Sequence, residues 1–330
     1  MATPTTTRSE LLRKAAAQAL LAPSVHNTQP WRFVLSADRL DIYADRSRRL
    51  PVLDPSGRQL LISCGCALFN ARVALASRGF DAVVDRFPDP GQPDLVARIM
   101  LSAIPSDRTE IGALDSFIIS RQTNRRRYAD EPMPAEVVRL LIDSARAEQA
   151  TLFPVERMNH RIAVARLSQE ADKLENADPA YRAELRAWTS DSPERRDGVS
   201  AIVVPHVTGK AYDDIPIRDF DTRGAGSLPA ETRSGLDQCL FLLATPADDE
   251  LSWLRAGEAL ERVWLEATRQ GYVASLFTQP IEIPHVREWL RLELDLTIRP
   301  QLLLRVGKAP LTASSRRRAL SDLLVDNAGD

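Results

Sequence analysis

The chain has 330 residues, 44% of them hydrophobic and 27% charged, the composition of an ordinary globular protein with room for two domains. A net charge of −2 supplies no global field to recruit nucleic acid or an anionic membrane, so any basic chemistry has to be local. Cys64, Cys66 and Cys239 are too few and too oddly spaced for a disulfide framework or a zinc site, and a reducing cytoplasm is the expected compartment.

Taken in order, the chain opens without the pattern of a signal peptide, because Arg8, Glu10, Arg13 and Lys14 interrupt its apolar residues. No run of about 18 apolar residues follows, so no membrane span is expected. Apolar residues at three- and four-residue steps predict helices over 8–21, 58–78, 134–149, 160–174, 179–189, 251–270 and 284–293. Short or alternating apolar runs predict strands over 31–36, 39–44, 82–87, 94–101, 152–158, 238–244, 272–277 and 300–306. These elements do not alternate as βαβ units, and no G-x-G-x-x-G follows a first strand, which argues against a doubly wound dinucleotide fold. Between Asp178 and Leu240 a polar stretch rich in Pro, Gly, Asp and Arg reads as a lid or loop, not as core.

Between the first helix and the first strand lies "LAPSVHNTQPWRFVL", Leu21–Leu35. Pro23 and Pro30 forbid regular helix there, while Ser24, His26, Asn27 and Gln29 crowd hydrogen-bonding groups into a short span. The plain reading is a helix end capped by Ser24 and Asn27. The density of side-chain amides also suits the edge of a flat heteroaromatic ring. Further on, "SRQTNRRRYADEPMP" carries Arg121, Arg125, Arg126 and Arg127. In an extended segment Arg121, Thr123 and Arg125 share one side, and two guanidiniums with a hydroxyl suit a phosphate. Arg316, Arg317 and Arg318 could close the same site from the far end of the chain. The plain reading of either run is a solvated charge cluster. His160, His206 and His285 are scattered, with no H-x-x-x-H or H-E-x-x-H, so no metal site is expected. Cys64 and Cys66 read as helix packing.

The chain also repeats itself. "CGCALFNARVALASRGF" (Cys64–Phe80) resembles "AGEALERVWLEATRQGY" (Ala256–Tyr272), with Gly65 against Gly257 and Gly79 against Gly271. "PDLVARIML" (Pro93–Leu101) matches "PQLLLRVGK" (Pro300–Lys308), and "ELLRKAAAQA" (Glu10–Ala19) matches "EVVRLLIDSA" (Glu136–Ala145). Three collinear matches imply two copies of one α+β unit, a short first copy over 1–112 and a second over 113–330.

"APSVHNTQPWRF" resembles the P-S-x-x-N-x-Q-P-W loop of the FMN-dependent nitroreductase superfamily, and "SRQTNRRRYADEPMP" resembles that family's opening R-x-S/T-x-R motif. "CGCALFNARVALASRGF" is similar to its central helix and "LLLRVGKAP" to its final strand. The order of the motifs, together with the duplication, looks like the Acg-type subfamily, in which two nitroreductase units are fused in one chain. The resemblance implies an α+β fold in which the tandem copies form an intrachain pseudo-dimer of mixed or antiparallel sheets with flanking helices. It implies that the second copy holds the FMN phosphate with Arg121, Thr123, Arg125 and the arginines Arg316, Arg317 and Arg318, Arg317 and Arg318 foremost. The first copy would contact the ring with Ser24, Asn27 and Gln29 on a loop shaped by Pro23. The reciprocal site lacks both arginines before Glu10 and a polar loop near Gln149, so one FMN per chain is expected.

The activity so implied is reduction of a nitroaromatic or quinone-like acceptor, with NADH or NADPH as donor and the flavin carrying the chemistry, so no catalytic protein group is assigned. The expected partners are small molecules, with no nucleic acid and no membrane, and the chain would work as a monomer. The rival from another class is an FMN-binding storage protein with little turnover, its lid denying nicotinamide access; a flavin-free scaffold leaves the arginines unexplained.

Overall fold

The computed structural model describes residues 7–105, 110–190, 192, 194–204, 218, 220 and 239–327. Most of the stretch expected to form a lid, and His206 within it, lies outside the described residues. The first half runs α1 (Arg8–Ala19), β1 (Trp31–Leu35), β2 (Arg39–Ala44), α2 (Arg58–Ala76), β3 (Phe80–Arg86), β4 (Leu95–Pro105) and the short α3 (Asp115–Ile118). The second runs α4 (Ala135–Ala147), β5 (Thr151–Pro154), α5 (Met158–Ala177), α6 (Pro179–Ala187), β6 (Cys239–Thr245), α7 (Glu250–Arg269), β7 (Val273–Leu276), α8 (Gln279–Glu282), α9 (Pro284–Glu293), β8 (Arg299–Gly307) and β9 (Leu324–Asp326).

Local chemistry accounts for many boundaries. Thr7 and Glu10 form a reciprocal capping box at the start of α1, and Asp178 caps α6 ahead of Pro179. After both α2 and α7 the chain turns at a glycine with φ +78°, Gly79 and Gly271, the left-handed stop that glycine alone takes without strain. The strand expected over 152–158 stops at Pro154, since α5 begins at Met158.

Two sheets result, and they share one plan. The first has the order β3-β4-β2-β1-β9 and the second β5-β6-β8-β7. Read in reverse, β7-β8-β6-β5 repeats β3-β4-β2-β1, with every corresponding pair antiparallel. The order α1-β1-β2-α2-β3-β4 recurs as α4-β5-β6-α7-β7-β8, with α5 and α6 set between β5 and β6. β9 breaks the correspondence: it comes after the second sheet in the chain yet pairs in parallel with β1, Phe33 opposite Leu324.

The two central helices α2 and α7 cross at the glycines matched in the repeat. A Cβ on Gly65 would lie 2.0 Å from Leu254 O, and one on Gly257 2.0 Å from Ile62 O. Only two glycines let the backbones meet this closely. One hydrophobic core spans both copies, joining Leu12 of α1, Leu61 of α2, Leu141 of α4, Leu254 of α7 and Leu304 of β8. By length and composition alone α2 is apolar enough to cross a membrane, with a mean hydropathy of 1.5, although Arg58, Gln59, Ser63, Asn70 and Arg72 interrupt its apolar residues. Every residue of α2 but Arg72 is buried, so its all-round apolar surface is that of a helix at the centre of a core.

Candidate functional site

The polar loop after α1 holds a strained path. His26, Asn27 and Gln29 have φ of +46°, +54° and +50°, three left-handed non-glycine residues interrupted only by Thr28 at φ −66°. Each such residue costs on the order of 1–2 kcal/mol, so the run persists only because surrounding contacts dictate it. Ser24 Oγ accepts from Gln29 N at 2.9 Å, and Ser63 Oγ on α2 accepts from Val25 N at 3.1 Å. The fully buried Gln29 donates through Nε2 to Arg196 O at 2.9 Å and accepts Arg318 N at 2.8 Å. Its amide therefore braces the loop from behind. Asn27 is also fully engaged: Nδ2 donates to Gly198 O (3.0 Å) and Arg316 O (3.1 Å), and Oδ1 accepts Arg317 Nη1 (3.0 Å).

The arginine segment docks on the edge of β7. Thr123 bridges Ala274, Asn124 N donates to Ala274 O at 2.9 Å, and Asn124 Nδ2 donates to Pro310 O at 2.8 Å. So pinned, the extended chain turns Arg121, Thr123 and Arg125 toward the polar loop of the first copy. Arg121 is buried, over the Trp264 ring at 4.9 Å, with Nη2 donating to Leu21 O at 3.1 Å. Arg317 reaches the same place and donates through Nη2 to Leu21 O and Ala22 O.

Between these segments lies a cleft of two adjoining lobes that share Pro23, Ser24, His26, Thr123 and Arg125. The first, of about 840 Å³, is walled largely by apolar groups, among them Ile62, Leu260, Trp264, Leu276 and Phe277. The second, of about 820 Å³, is polar and is lined by Asn27, Arg121, Gln122, Ser314, Ser315 and Arg317. Of the ten residues expected at a cofactor, Pro23, Ser24, Asn27, Arg121, Thr123, Arg125 and Arg317 line the cleft, while Gln29, Arg316 and Arg318 do not. Arg316 donates outward to Ser192 O at 3.1 Å, and Arg318 reaches the back of the loop with its backbone N–H, which donates to Gln29. Asn27 stands in the polar lobe beside Arg317, not against the apolar walls.

Several residues at the cleft carry no signal in a local motif. Arg218 and Phe220 line the apolar lobe, with Phe220 over Arg125 at 4.7 Å and edge-on to His26 at 5.3 Å. Arg218 Nη1 lies 2.8 Å from His26 Nε2. A guanidinium can only donate, so Nε2 accepts and the imidazole proton is assigned to Nδ1. Burial, followed by Arg218, pushes the His26 pKa down to about 3. The imidazole is therefore neutral, and its buried Nδ1 has no hydrogen-bond partner. Arg218 also pairs with Glu282, holding that carboxyl below its usual range against the opposing effect of burial. On α7, Glu261 is fully buried 3.2 Å from Arg121 Nε, and burial pushes its pKa up to about 7. A carboxylate within an apolar helical stripe was the one sequence signal that could have marked it.

Desolvation lowers Arg125 to about 10 and Arg317 to about 9, and each is lowered further by a neighbouring guanidinium, Arg218 and Arg121 respectively. The buried Arg317 Nε has no hydrogen-bond partner. Crowded, partly desolvated guanidiniums of this kind are suited to an anion. An apolar slot adjoining an anion lobe fits a molecule with a flat ring at one end and a phosphate at the other.

Across the pair of central helices the matched positions carry charge instead. Under the match of Gly65 with Gly257, the cleft residues Cys66, Trp264 and Thr278 correspond to Glu258, Arg72 and Arg86. These three form one ion-paired cluster: Glu258 takes Arg86 at 2.7 and 2.8 Å and Arg72 at 2.7 Å. Glu148, in the turn after α4, joins it through Arg72 at 2.6 Å and Arg262 at 2.9 Å.

No family model matches the chain. A Mycobacterium tuberculosis protein named as a putative NAD(P)H nitroreductase is 35% identical over 328 residues, spanning 96% of this chain and 91% of the relative. A second relative from that organism with the same name, acg, is 31% identical over 309 residues, 92% of this chain and 90% of its own. Among solved structures, a nitroreductase with bound FMN from Bacteroides fragilis is 13% identical, with a TM-score of 0.39 over 62% of this chain and 95% of its own.

Proposed function

The chain belongs to the nitroreductase family, and from that premise we propose that it is an FMN-dependent NAD(P)H oxidoreductase acting on nitroaromatic or quinone-like acceptors. One FMN would bind per chain, with the tandem copies 1–112 and 113–330 acting as an intrachain pseudo-dimer in the cytoplasm. The observation that carries this reading is the two-lobed cleft, built where the polar loop of the first copy meets Arg121, Thr123, Arg125 and Arg317 of the second. The ion-paired cluster at the equivalent place supports a single site.

When bound, FMN would supply the redox chemistry, taking hydride from the nicotinamide and passing electrons to the acceptor. The protein's part is binding and placement. Arg125, Arg317 and Arg121 offer charge-assisted donors to the phosphate, with the Thr123 hydroxyl beside them. The walls of the apolar lobe receive the ring and exclude water. Neutral His26 presents Nδ1–H at the junction of the lobes, a donor that needs no change of charge.

A second reading, an FMN storage protein, draws on Arg218 and Phe220: both line the apolar lobe, so a nicotinamide would have to share space with them. One experiment separates the two readings. Flavin-loaded protein mixed anaerobically with NADH or NADPH should lose its oxidised flavin band and regain it on addition of a nitroaromatic or a quinone. A band unchanged by either nucleotide would overturn the oxidoreductase in favour of storage.

A further inference from the structure

Glu261 lies behind the polar lobe, fully buried on α7, with Oε1 3.2 Å from Arg121 Nε. Neither carboxylate oxygen has a hydrogen bond of good geometry. A buried carboxylate whose polar neighbours, Arg121 and the Asn70 amide, are poorly aligned to it is only partly compensated for its lost hydration. The charged groups that act on it are Arg121, from the segment before α4, and Arg317, from the segment after β8. From α2 it meets the Asn70 amide and the Cys66 thiol, which burial keeps protonated. The chain at Leu21 and Ala22 presents only carbonyls, to Arg121 and Arg317. On α7 itself the nearby charges are engaged elsewhere, Glu258 with Arg72 and Arg86, Arg262 with Glu148, and Glu266 with Arg269.

Resting on the reading of the cleft as an FMN site, we propose that Glu261 is the positioning residue of its anion subsite, holding Arg121 in place without phosphate and taking up one proton from solvent when phosphate enters. The charge balance leads there. The three guanidiniums of the polar lobe, Arg121, Arg125 and Arg317, with one carboxylate leave a net charge of +2, yet a phosphate dianion held by the same arginines still meets the repulsion of the carboxylate behind Arg121 in a poorly screened interior. Protonation removes that repulsion and leaves all three guanidiniums to face the dianion unopposed. Burial has already raised the carboxyl to about 7 in spite of Arg121, so the incoming charge tips its balance near neutral pH.

The sign is distinctive. If binding takes up a proton, FMN affinity falls as pH rises through about 7. The second ionisation of the phosphate, near 6, works in the opposite direction. Arg317 and Arg125, lowered to about 9 and about 10, stay charged below pH 8, and His26, at about 3, stays neutral above pH 6.

The test titrates the flavin-stripped full chain with FMN and with riboflavin between pH 6 and pH 8 at constant salt, for wild type and Glu261→Gln. Wild type should bind FMN about fivefold more weakly at pH 8 than at pH 6. Glu261→Gln should bind it more tightly than wild type at pH 8, with affinity level or rising across the range. Riboflavin, without a phosphate, should show no trend in either protein. Calorimetry of wild type in buffers of different ionisation enthalpy should find close to one proton taken up per FMN at pH 7.5, a measurement that stands even if the variant folds poorly. FMN affinity that rises with pH in wild type, or binding without proton uptake, overturns the role of Glu261 and leaves the flavin site intact. Failure of both flavins to bind at any pH overturns the flavin site and this role together.

Discussion

Asn27→Ala should damage the site through a specific knot of contacts. The side chain makes two neutral hydrogen bonds, to Gly198 O and Arg316 O, and one with the charged Arg317. At about 0.5–1.5 kcal/mol for each neutral bond and about 1.5–3 for the charged one, the gross loss is about 4 kcal/mol. Alanine at φ +54° adds roughly 1 kcal/mol of backbone strain, so Asn27→Gly should be the milder change. Most of this loss should appear as folding stability, because the knot ties the polar loop to the segments at 198 and 316. Arg317 keeps its bonds to Leu21 O and Ala22 O, so it is loosened, not lost. The share that reaches the ligand should be about 1 kcal/mol, or about fivefold in FMN affinity. Chemical denaturation gives the first quantity, and fluorescence titration with FMN and riboflavin gives the second. Because Asn27 stands in the polar lobe, FMN should lose more than riboflavin. Equal losses for both flavins, or a loss of stability with both affinities intact, would refute the placement of the phosphate beside Arg317.

Other outcomes follow from the same geometry. Asn27→Ala and Arg317→Ala, which share a bond, should couple by about 0.5–3 kcal/mol in a double-mutant cycle on FMN affinity, whereas Asn27→Ala and Arg125→Ala should be nearly additive. Gly257→Ala would set a Cβ 2.0 Å from Ile62 O and should cost about 3 kcal/mol or more of stability, seen as a lower thermal midpoint; near-normal melting would mean that α2 and α7 can part cheaply. Glu258→Gln leaves Arg86 and Arg72 short of a buried partner and should cost about 3 kcal/mol, while folded protein keeps its full FMN content. His26, lowered to about 3, binds fewer protons folded than unfolded below about 6.5, so its contribution to stability is lost as pH falls from about 6.5 toward 3. His26→Asn, which tolerates the positive φ, should therefore reduce the difference in urea midpoint between pH 7 and pH 4.5; an unchanged difference would show that the imidazole is not held neutral.

Periodicity alone determined the long elements of this protein. The apolar steps over 58–78 and 251–270 predict the helices that form α2 and α7, because such patterns depend only on near neighbours, although packing buries both helices on nearly every side through their middle turns. The repeat and the two-residue alternation of Arg121, Thr123 and Arg125 were equally legible, because register along an extended segment is a local property. Tertiary structure decided which polar groups face the cleft. Gln29 and Asn27 look interchangeable in sequence, yet three consecutive long-range anchors, at 196, 198 and 316–318, turn the first behind the loop and the second into the polar lobe. Of three adjacent arginines only Arg317 lines the site, since the chain there is irregular and each side chain goes where its partners lie. β9 is three residues long and has meaning only beside β1. The same holds for Glu261 and Glu258: three residues apart on α7 and neighbours on its surface, they serve opposite ends of the duplicated plan because Arg121 reaches the first while Arg72 and Arg86 reach the second, and only packing brings those arginines in.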